Sequence, residues 1–193
     1  MTLGLAPLTE LDAVNEILGT IAESPVNSLD EEVVIDASLA MKILKTTSVE
    51  VQSRGWWFNR LDEYELLPDV RKEIQLPPNV LKIKATGATS SKVVQRGQLL
   101  YDLTNKTLEF EAPVTVELTQ GLEFEEMPST ARVYITVRAA RKYQDRYFGD
   151  QATHSYTKQD ETEALAALKN EDLEFDDPNM LEDSQFVSGL RKP

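Results

Sequence analysis

Three glutamates within four positions are the residues best suited to chemistry in this sequence. Glu123, Glu125 and Glu126 flank Phe124. Paired carboxylates can serve as general acid and nucleophile in the hydrolysis of a glycosidic bond. The chain holds 33 aspartates and glutamates among its 193 residues, however, so clusters of this kind are expected without any catalytic role. The spacing alone therefore favours a solvated acidic segment over a catalytic pair.

Other catalytic and metal-binding arrangements find little support in the residue types present. Zinc sites use cysteine and histidine ligands, and the chain has no cysteine and a single histidine, His154. A serine–histidine arrangement would depend on the same residue, which lies in a polar stretch near a predicted helix start. Neither Gly87 nor Gly97 stands in the strand-to-helix setting of a phosphate-binding loop. We therefore predict no catalytic, cofactor or metal site, and a protein that is not an enzyme.

A run of positive charge between residues 132 and 146 is the second candidate site. Its members are Arg132, Arg138, Arg141, Lys142 and Arg146. Tyrosines between them would suit contact with a phosphate backbone, but a formal net charge of -13 argues against a general nucleic-acid binder. Residues 160–183 carry ten acidic side chains against Lys169 alone. The pattern favours ion pairing between the two runs, within or between subunits, and makes the four arginines interface candidates.

The first 55 residues have the periodicity of two amphipathic helices. Thr9 and Asp12 resemble a capping signal for the first helix, and Pro25 ends it. Ser28 supplies the cap of the second helix, and Gly55 is its expected stop. The second helix carries an apolar stripe of Val33, Ala37, Ala40, Leu44, Thr47 and Val51.

Three consecutive aromatic residues, Trp56, Trp57 and Phe58, follow that stop and include both tryptophans of the chain. Aromatic side chains bury a large area and dominate core energetics. The hydrophobic period changes at this point from helical to strand-like. We predict that these residues form a seam that sets the geometry between a helical part and a β part.

Short alternating segments, separated by proline and glycine, fill residues 56–126. They predict strands at 64–68, 79–84, 108–110 and 114–118, and a hairpin over 92–101 that turns near Gly97. Short strands with turns of this kind are typical of a small antiparallel sheet inserted into the chain.

Two further helices and a tail complete the chain. Pro128 occupies a favoured position at the start of a helix, whose predicted apolar face comprises Val133, Thr136, Val137, Ala139, Ala140, Tyr143 and Tyr147. The last helix carries Ala164, Leu165 and Leu168 on a weak stripe. In the tail beyond it, Phe186, Val187 and Leu190 fit no regular pattern, which indicates contact with a partner.

These segments predict an α+β fold in three parts. Residues 1–55 and 127–175 form an α-helical bundle of about four helices, residues 56–126 form an inserted small antiparallel β domain, and residues 176–193 form an extended C-terminal tail. The N-terminus has no signal-peptide pattern and no segment is long enough to span a membrane, so we expect no membrane insertion. The absence of cysteine fits a reducing compartment.

An ordered set of short motifs resembles one known family. The motifs are Val14-Asn15-Glu16-Ile17-Leu18, Ser24-Pro25-Val26, Gln52-Ser53-Arg54-Gly55-Trp56 with Phe58-Asn59, Leu66-Leu67-Pro68-Asp69-Val70, Tyr101-Asp102, Glu126-Met127-Pro128, Arg146-Tyr147-Phe148-Gly149, Asn179-Met180-Leu181 and Ser188-Gly189-Leu190. Together they look like tail tubular protein A, the head-to-tail adaptor of T7-like short-tailed bacteriophages. The likeness covers nearly the whole chain in order.

The resemblance implies a structural virion protein that assembles as a dodecameric homo-oligomeric ring. Its implied partners are the portal protein and the tail nozzle protein, tail tubular protein B. Genome DNA would pass through the ring during ejection without sequence-specific binding, and the subunit would be made in the host cytoplasm before joining the tail below the portal. The C-terminal tail, with Phe186, Val187 and Leu190, is then the candidate for portal contact.

Two alternatives remain open at this stage. One is a virion-associated polysaccharide hydrolase that uses the cluster of Glu123, Glu125 and Glu126. The other is a DNA-binding regulator, which would require an exposed patch formed by the arginines of the basic run.

Overall fold

Five β-strands lie between the second and third helices of the chain. The computed structural model describes residues 8–29, 35–86, 92–147 and 151–175, with side chains for all of these except 151–157. Within them the elements are α1 (Glu10–Gly19), α2 (Ile35–Gln52), β1 (Arg60–Leu66), β2 (Val80–Ala85), β3 (Val93–Arg96), β4 (Leu99–Asp102), β5 (Val114–Gln120), a 3-10 turn (Phe124–Glu126), α3 (Ser129–Tyr147) and α4 (Gln151–Phe175). The predicted α+β class is confirmed.

Helix α1 begins with the cap that the sequence predicts. The Thr9 hydroxyl accepts from the backbone N–H of Asp12 at 3.1 Å, and the Asp12 carboxylate accepts from the N–H of Thr9 at 3.1 Å. The helix ends at Gly19, however, so the predicted end at Pro25 is wrong. The Thr20 hydroxyl donates to the carbonyl of Ile17 at 2.6 Å and thereby satisfies one of the last helical acceptors.

The apolar stripe of α2 is confirmed over its described length. Its members Ala37, Ala40, Leu44, Thr47 and Val51 are all buried. The predicted first turn of this helix, including Val33, lies outside the described residues.

Helix α3 packs against α1, α2 and α4 and so forms the centre of the helical part. Tyr134, Ile135 and Tyr143 are fully buried on it. Val133 and Tyr147, which the sequence places on the apolar face, are instead 42% and 49% exposed. A helix turns by about 100° per residue, so a buried face centred on Tyr134 and Ile135 turns Val133 towards solvent. Helix α4 packs through Leu168, which is buried, with Ala164 and Leu165 beside it.

The strands form two antiparallel sheets, a three-stranded sheet in the order β1-β5-β2 and the hairpin β3-β4. The hairpin turns at Gly97, whose φ of 64° confirms the predicted turn. The strand predicted at 108–110 is wrong, because Glu109 makes only an isolated bridge to Glu73. Phe110 is buried instead, and its N–H donates to the carbonyl of Lys72 at 2.8 Å.

Strand β1 is an edge strand, hydrogen-bonded on one side to β5. Its pairing shifts register between Leu61 and Tyr64, and Glu63 there adopts a left-handed φ of 53°. A bulge of this kind bends a strand and interrupts its ladder of hydrogen bonds. Asp62, Glu63 and Glu65 are exposed along this edge.

Two separate hydrophobic clusters are buried in the described residues. One joins the four helices and includes Trp56 and Phe124. The other lies within the β part and includes Leu100 and Leu118. The division of the chain at residues 55 and 127 stays a prediction. Trp56 and Phe124 lie inside the predicted β domain, near its two ends, and both pack with the helices.

A buried carboxylate organises the loop after β4. Asp102 is 4% exposed, and its carboxylate accepts from the N–H of Asn105 at 3.1 Å, from the N–H of Thr104 at 2.7 Å and from the Asn105 side chain at 2.9 Å. These hydrogen bonds, led by that from the Asn105 backbone, hold the pKa of Asp102 below its ordinary value. The ionised form is therefore the one that stabilises the fold.

Replacing Asp102 with asparagine is expected to destabilise the protein by about 1–2 kcal/mol at pH 7, because charged acceptors make stronger hydrogen bonds. The pKa of Asp102 is lower in the folded chain than in the unfolded chain, so the ionised carboxylate stabilises the fold above the unfolded pKa of about 3.9. This contribution to stability is lost as the pH falls through the folded pKa. The difference between wild type and Asp102→Asn should therefore shrink below about pH 4. Urea unfolding at pH 7 and pH 3 measures it, with Glu109→Gln as a surface control. An equal deficit at both pH values would contradict the assignment.

Candidate assembly interface

The aromatic seam lies on the helical side of the junction between helices and sheet. Trp56 is 5% exposed, and its indole N–H donates to the carbonyl of Val51 at 2.8 Å. Trp57 and Phe58 are partly buried against the same helical cluster, with their rings edge-to-face at 5.0 Å. Gly55 has a φ of 77°, and a Cβ there would lie 3.0 Å from the Thr119 hydroxyl of β5. Helix and sheet therefore approach closely at this glycine.

Two buried amides, rather than the aromatic rings, bridge the helices to the sheet. Asn59 is 3% exposed, and its side-chain NH₂ donates to the carbonyl of Gln52 at 3.0 Å and to that of Gln120 at 2.7 Å. Gln52 is also 3% exposed; its side chain accepts from the N–H of Leu122 at 2.7 Å and donates to its carbonyl at 3.0 Å. Both residues stand in the motif Gln52-Ser53-Arg54-Gly55-Trp56 with Phe58-Asn59, but the sequence assigned neither of them a role. The available signals were the polar side chain of Gln52 at the end of an amphipathic helix and that of Asn59 directly after the three aromatic residues.

A groove of about 360 Å³ opens beside these amides, between α2 and the near end of the sheet. We call it the junction groove. Leu44 and Phe124, both buried, contribute to its lining, and the N–H of Gly121 donates to the carbonyl of Asn79 at 2.7 Å along its wall. Its remaining lining residues are Glu10, Lys45, Ser48, Val49, Gln52, Leu81, Leu122 and Glu123. The groove is thus apolar within and charged at its margin.

The basic helix pairs its central charges within the subunit. The guanidinium of Arg138 lies 2.9 Å from the carboxylate of Glu161 in α4 and 3.6 Å from that of Glu50 in α2. Arg141 also forms an ion pair with Glu161. The ammonium group of Lys142 lies 2.6 Å from the carboxylate of Glu50. The hydrogen bond to Glu161 raises the pKa of Arg141 above its ordinary value. These contacts join α2, α3 and α4 through charged groups, in keeping with the pairing that the sequence favours.

The outer two arginines have different surroundings. Arg132 is 8% exposed, and its guanidinium donates to the carbonyl of Leu8 at 2.9 Å. Arg146 is exposed in the last turn of α3. Since Arg132 is buried and the side chains of Arg138 and Arg141 are only 22% and 20% exposed in ion pairs, these three arginines do not form the exposed basic patch that a DNA-binding regulator would need.

Glu161 is the carboxylate shared by Arg138 and Arg141, and its side chain is 12% exposed. Replacing Glu161 with glutamine is expected to destabilise the protein by about 2 kcal/mol, less than for a fully buried pair because both arginines keep some solvent contact. Glu163→Gln on the exposed side of the same helix is the matched control and should cost less than about 0.5 kcal/mol. Urea unfolding of both variants measures this, and equal effects would contradict the role of Glu161.

The acidic cluster is used for helix capping. The carboxylate of Glu125 accepts from the N–H of Glu10, the first residue of α1, at 3.0 Å. The carboxylate of Glu126 accepts from the N–H of Glu123 at 3.1 Å and closes the short 3-10 turn. Free backbone N–H groups at helix starts are stabilised by such acceptors. Two of the three carboxylates thereby have structural partners, which sequence spacing did not indicate.

Several predicted positions lie outside the described residues. They are Phe186, Val187 and Leu190 of the tail and the side chain of His154. In the described ranges, no three acidic or histidine side chains are grouped closely enough to hold a metal ion. None of the helices described is both long and apolar enough to cross a membrane.

The described contacts show what the charged side chains do within the fold. Carboxylates of the acidic cluster cap helix starts, and arginines of the basic helix join helices. Comparison with known proteins supplies the class of protein. The sequence model of a family described as tail tubular protein matches residues 11–178. A protein called Tail tubular protein A, from Klebsiella phage KP34, is 30% identical over 155 residues, which cover 80% of this chain and 82% of that protein.

The chain belongs to the tail tubular protein family. It is therefore a structural protein of a bacteriophage tail and a component of the virion. This confirms the resemblance that the ordered motifs indicated. Because the relative is a tail protein, the match is consistent with the predicted lack of enzymatic activity.

Proposed function

We propose that this protein is a head-to-tail adaptor, a ring-forming virion protein that joins the portal to the tail nozzle protein and forms part of the DNA ejection channel. The family match over residues 11–178 carries this proposal. In it, the subunit is made in the host cytoplasm and takes its place below the portal as a dodecamer. The Klebsiella phage relative, named Tail tubular protein A, supports the same role.

The net charge of -13 suits a channel for DNA. A basic surface binds the phosphate backbone and releases counterions, which holds DNA in place. An acidic surface repels the same backbone and lets the genome slide. The net acidity of the chain therefore supports passage of DNA without sequence-specific binding.

Ring closure requires two different faces of each subunit to meet, because a rotational head-to-tail contact is heterologous. Of the four candidate arginines, Arg146 is the exposed one. Arg138 and Arg141 serve mainly to hold α4 on the helical part. We therefore rank Arg146 first among the charged interface candidates on this helix.

Electron microscopy of the purified protein, alone and mixed with portal protein, tests the proposal. Rings that bind the portal are the expected result. A protein that forms no ring in either sample would overturn it. The hydrolase alternative predicts release of sugar from polysaccharide that is lost on changing Glu123 or Glu125. The contact of the Glu125 carboxylate with the start of α1 counts against its use in such a reaction.

The C-terminal tail is the proposed contact with the portal, through Phe186, Val187 and Leu190. A chain that ends at residue 182 is expected to fold normally but to lose attachment to portal-bearing heads. Its folding is checked by circular dichroism and its attachment by co-sedimentation with heads. Heads that still acquire the shortened chain would remove the tail from the interface.

A further inference from the structure

The loop formed by residues 67–72 presents apolar side chains on a hydrogen-bonded turn. Val70 is 101% exposed and Leu67 is 66% exposed. Between them, the Asp69 carboxylate accepts from the N–H of Arg71 at 2.8 Å and from that of Glu73 at 3.0 Å. We call this segment the 67–72 loop.

Backbone contacts hold the same loop in place. The N–H of Asp69 donates to the carbonyl of Glu73 at 2.8 Å, and the N–H of Lys72 donates to that of Asp69 at 2.9 Å. Lys72 has a φ of 63°, and its ammonium group lies 2.7 Å from Glu111. A loop ordered in this way loses little conformational entropy when a partner binds its apolar tip.

The junction groove has the complementary character. It is lined by the buried side chains of Leu44 and Phe124, and Val49, 51% exposed, lies at its opening. The Gln52 side chain accepts from the N–H of Leu122 and donates to its carbonyl, and these two hydrogen bonds fix the wall of the groove. The wall of the groove is therefore ordered, and the aliphatic side chains in its lining, Val49, Leu81 and Leu122, suit contact with aliphatic side chains of a partner.

Within one subunit, loop and groove cannot meet. The groove adjoins the end of the sheet where Arg60 pairs with Thr119, whereas the loop follows the opposite end, where Leu66 pairs with Val114. Strand β1 spans about 20 Å between these ends at about 3.3 Å per residue. The only copy of the loop that can reach the groove belongs to another subunit.

The charges of the two surfaces also match. Arg71 is exposed on the loop, and the Asp69 carboxylate is occupied by backbone N–H groups. The groove is lined by two carboxylates, Glu10 and Glu123, against the single ammonium group of Lys45, which lies 3.8 Å from Glu10. The groove lining therefore has a formal charge of -1, and Arg71 offers an exposed guanidinium group of the opposite sign.

We propose that the 67–72 loop of one subunit docks into the junction groove of a second copy of this chain. Val70 and Leu67 would enter the apolar interior, and Arg71 would pair with the acidic margin. The contact is heterologous, because each subunit offers one loop and one groove, and repeating it around an axis closes a ring. This inference rests on the proposed ring and names the surfaces that would build it.

Cysteine cross-linking tests the contact, and the chain has no cysteine of its own to interfere. Val49→Cys and Val70→Cys are combined in one chain, and particles assembled from it are treated with the thiol oxidant diamide. The matched control combines Val70→Cys with Val133→Cys, at an exposed position of α3. We expect a ladder of disulfide-linked multimers at least about tenfold stronger than the control, because docking raises the effective concentration of the two thiols.

The outcomes separate this inference from the proposed function. A ladder that extends beyond dimers supports the heterologous contact. Rings seen by electron microscopy without cross-linking above the control would overturn the docking while leaving the adaptor function intact. Absence of rings from the wild-type chain, both alone and mixed with portal protein, would overturn both. As a second measurement, Val70→Asp should abolish rings and Val133→Asp should retain them, and rings from both would also reject the contact.

Discussion

Replacing Trp56 with alanine is expected to destabilise the protein by about 3–5 kcal/mol. The ring is 95% buried in the cluster that joins the four helices, at 5% exposure. Truncation would leave a cavity there and would remove the hydrogen bond from the indole to the carbonyl of Val51 at 2.8 Å. Urea unfolding followed by circular dichroism measures the loss in the free energy of unfolding.

Trp57→Ala is the matched control for this prediction. Trp57 is only partly buried, and it meets Phe58 edge-to-face at the margin of the same cluster. Its truncation should cost clearly less, about 1–2 kcal/mol. Equal losses of stability in the two variants would contradict the assignment of Trp56, rather than Trp57, to the buried helical cluster.

Replacing Asn59 with alanine is expected to cost about 3 kcal/mol, because several buried backbone groups lose their partners at once. Its side chain accepts from the N–H of Trp56 at 2.9 Å and donates to the carbonyls of Gln52 and Gln120. Each group left without a partner away from water costs about 1–3 kcal/mol, and such losses do not add fully.

The control for the loss of stability in Asn59→Ala is Asn79→Ala at the opposite edge of the sheet. Asn79 is exposed, and its side chain donates to the carbonyl of Gly121 at 3.1 Å. Its loss should cost less than about 1 kcal/mol, because water can replace an exposed partner. Asn59→Ala should also reduce ring formation beyond its effect on stability, since the amide fixes the sheet against the helices. A destabilised variant that still assembles normally would limit Asn59 to a local role.

Much of the fold could be predicted where local signals decide structure. The stripe from Ala37 to Val51, the cap at Thr9 and the turn at Gly97 depend on neighbouring residues, and all three are confirmed. The end of α1 is set by a local contact of Thr20 with the carbonyl of Ile17, which the proline signal does not reveal. The segment 108–110 could not be predicted, because it depends on distant contacts. Phe110, for example, buries its ring in the β cluster and bonds to Lys72, which no local pattern reveals.

At the candidate interface, too, the general pattern of charge could be predicted but the distant partners could not. Opposite charges on the last two helices predict ion pairing. The sequence does not tell which of the ten acidic residues of the 160–183 run pairs with the arginines, and in the structure it is Glu161. It also gives no sign of Glu50, a partner on α2 that lies outside that run. The bridging amides Gln52 and Asn59 form their contacts across 70 and 61 residues of chain. Such pairings follow from the packing of sheet on helices, and therefore appear only in the folded chain.

The bulged edge strand β1 has a consequence for how the subunit survives before it is incorporated. An open strand edge can recruit a strand from another molecule, which leads to uncontrolled filaments. The register shift at Leu61 and Tyr64 breaks the row of donors and acceptors that such recruitment needs. Asp62, Glu63 and Glu65 add like charges that keep two such edges apart. At this edge of the sheet, strand-to-strand polymerisation is therefore disfavoured, and association is left to surfaces of specific shape.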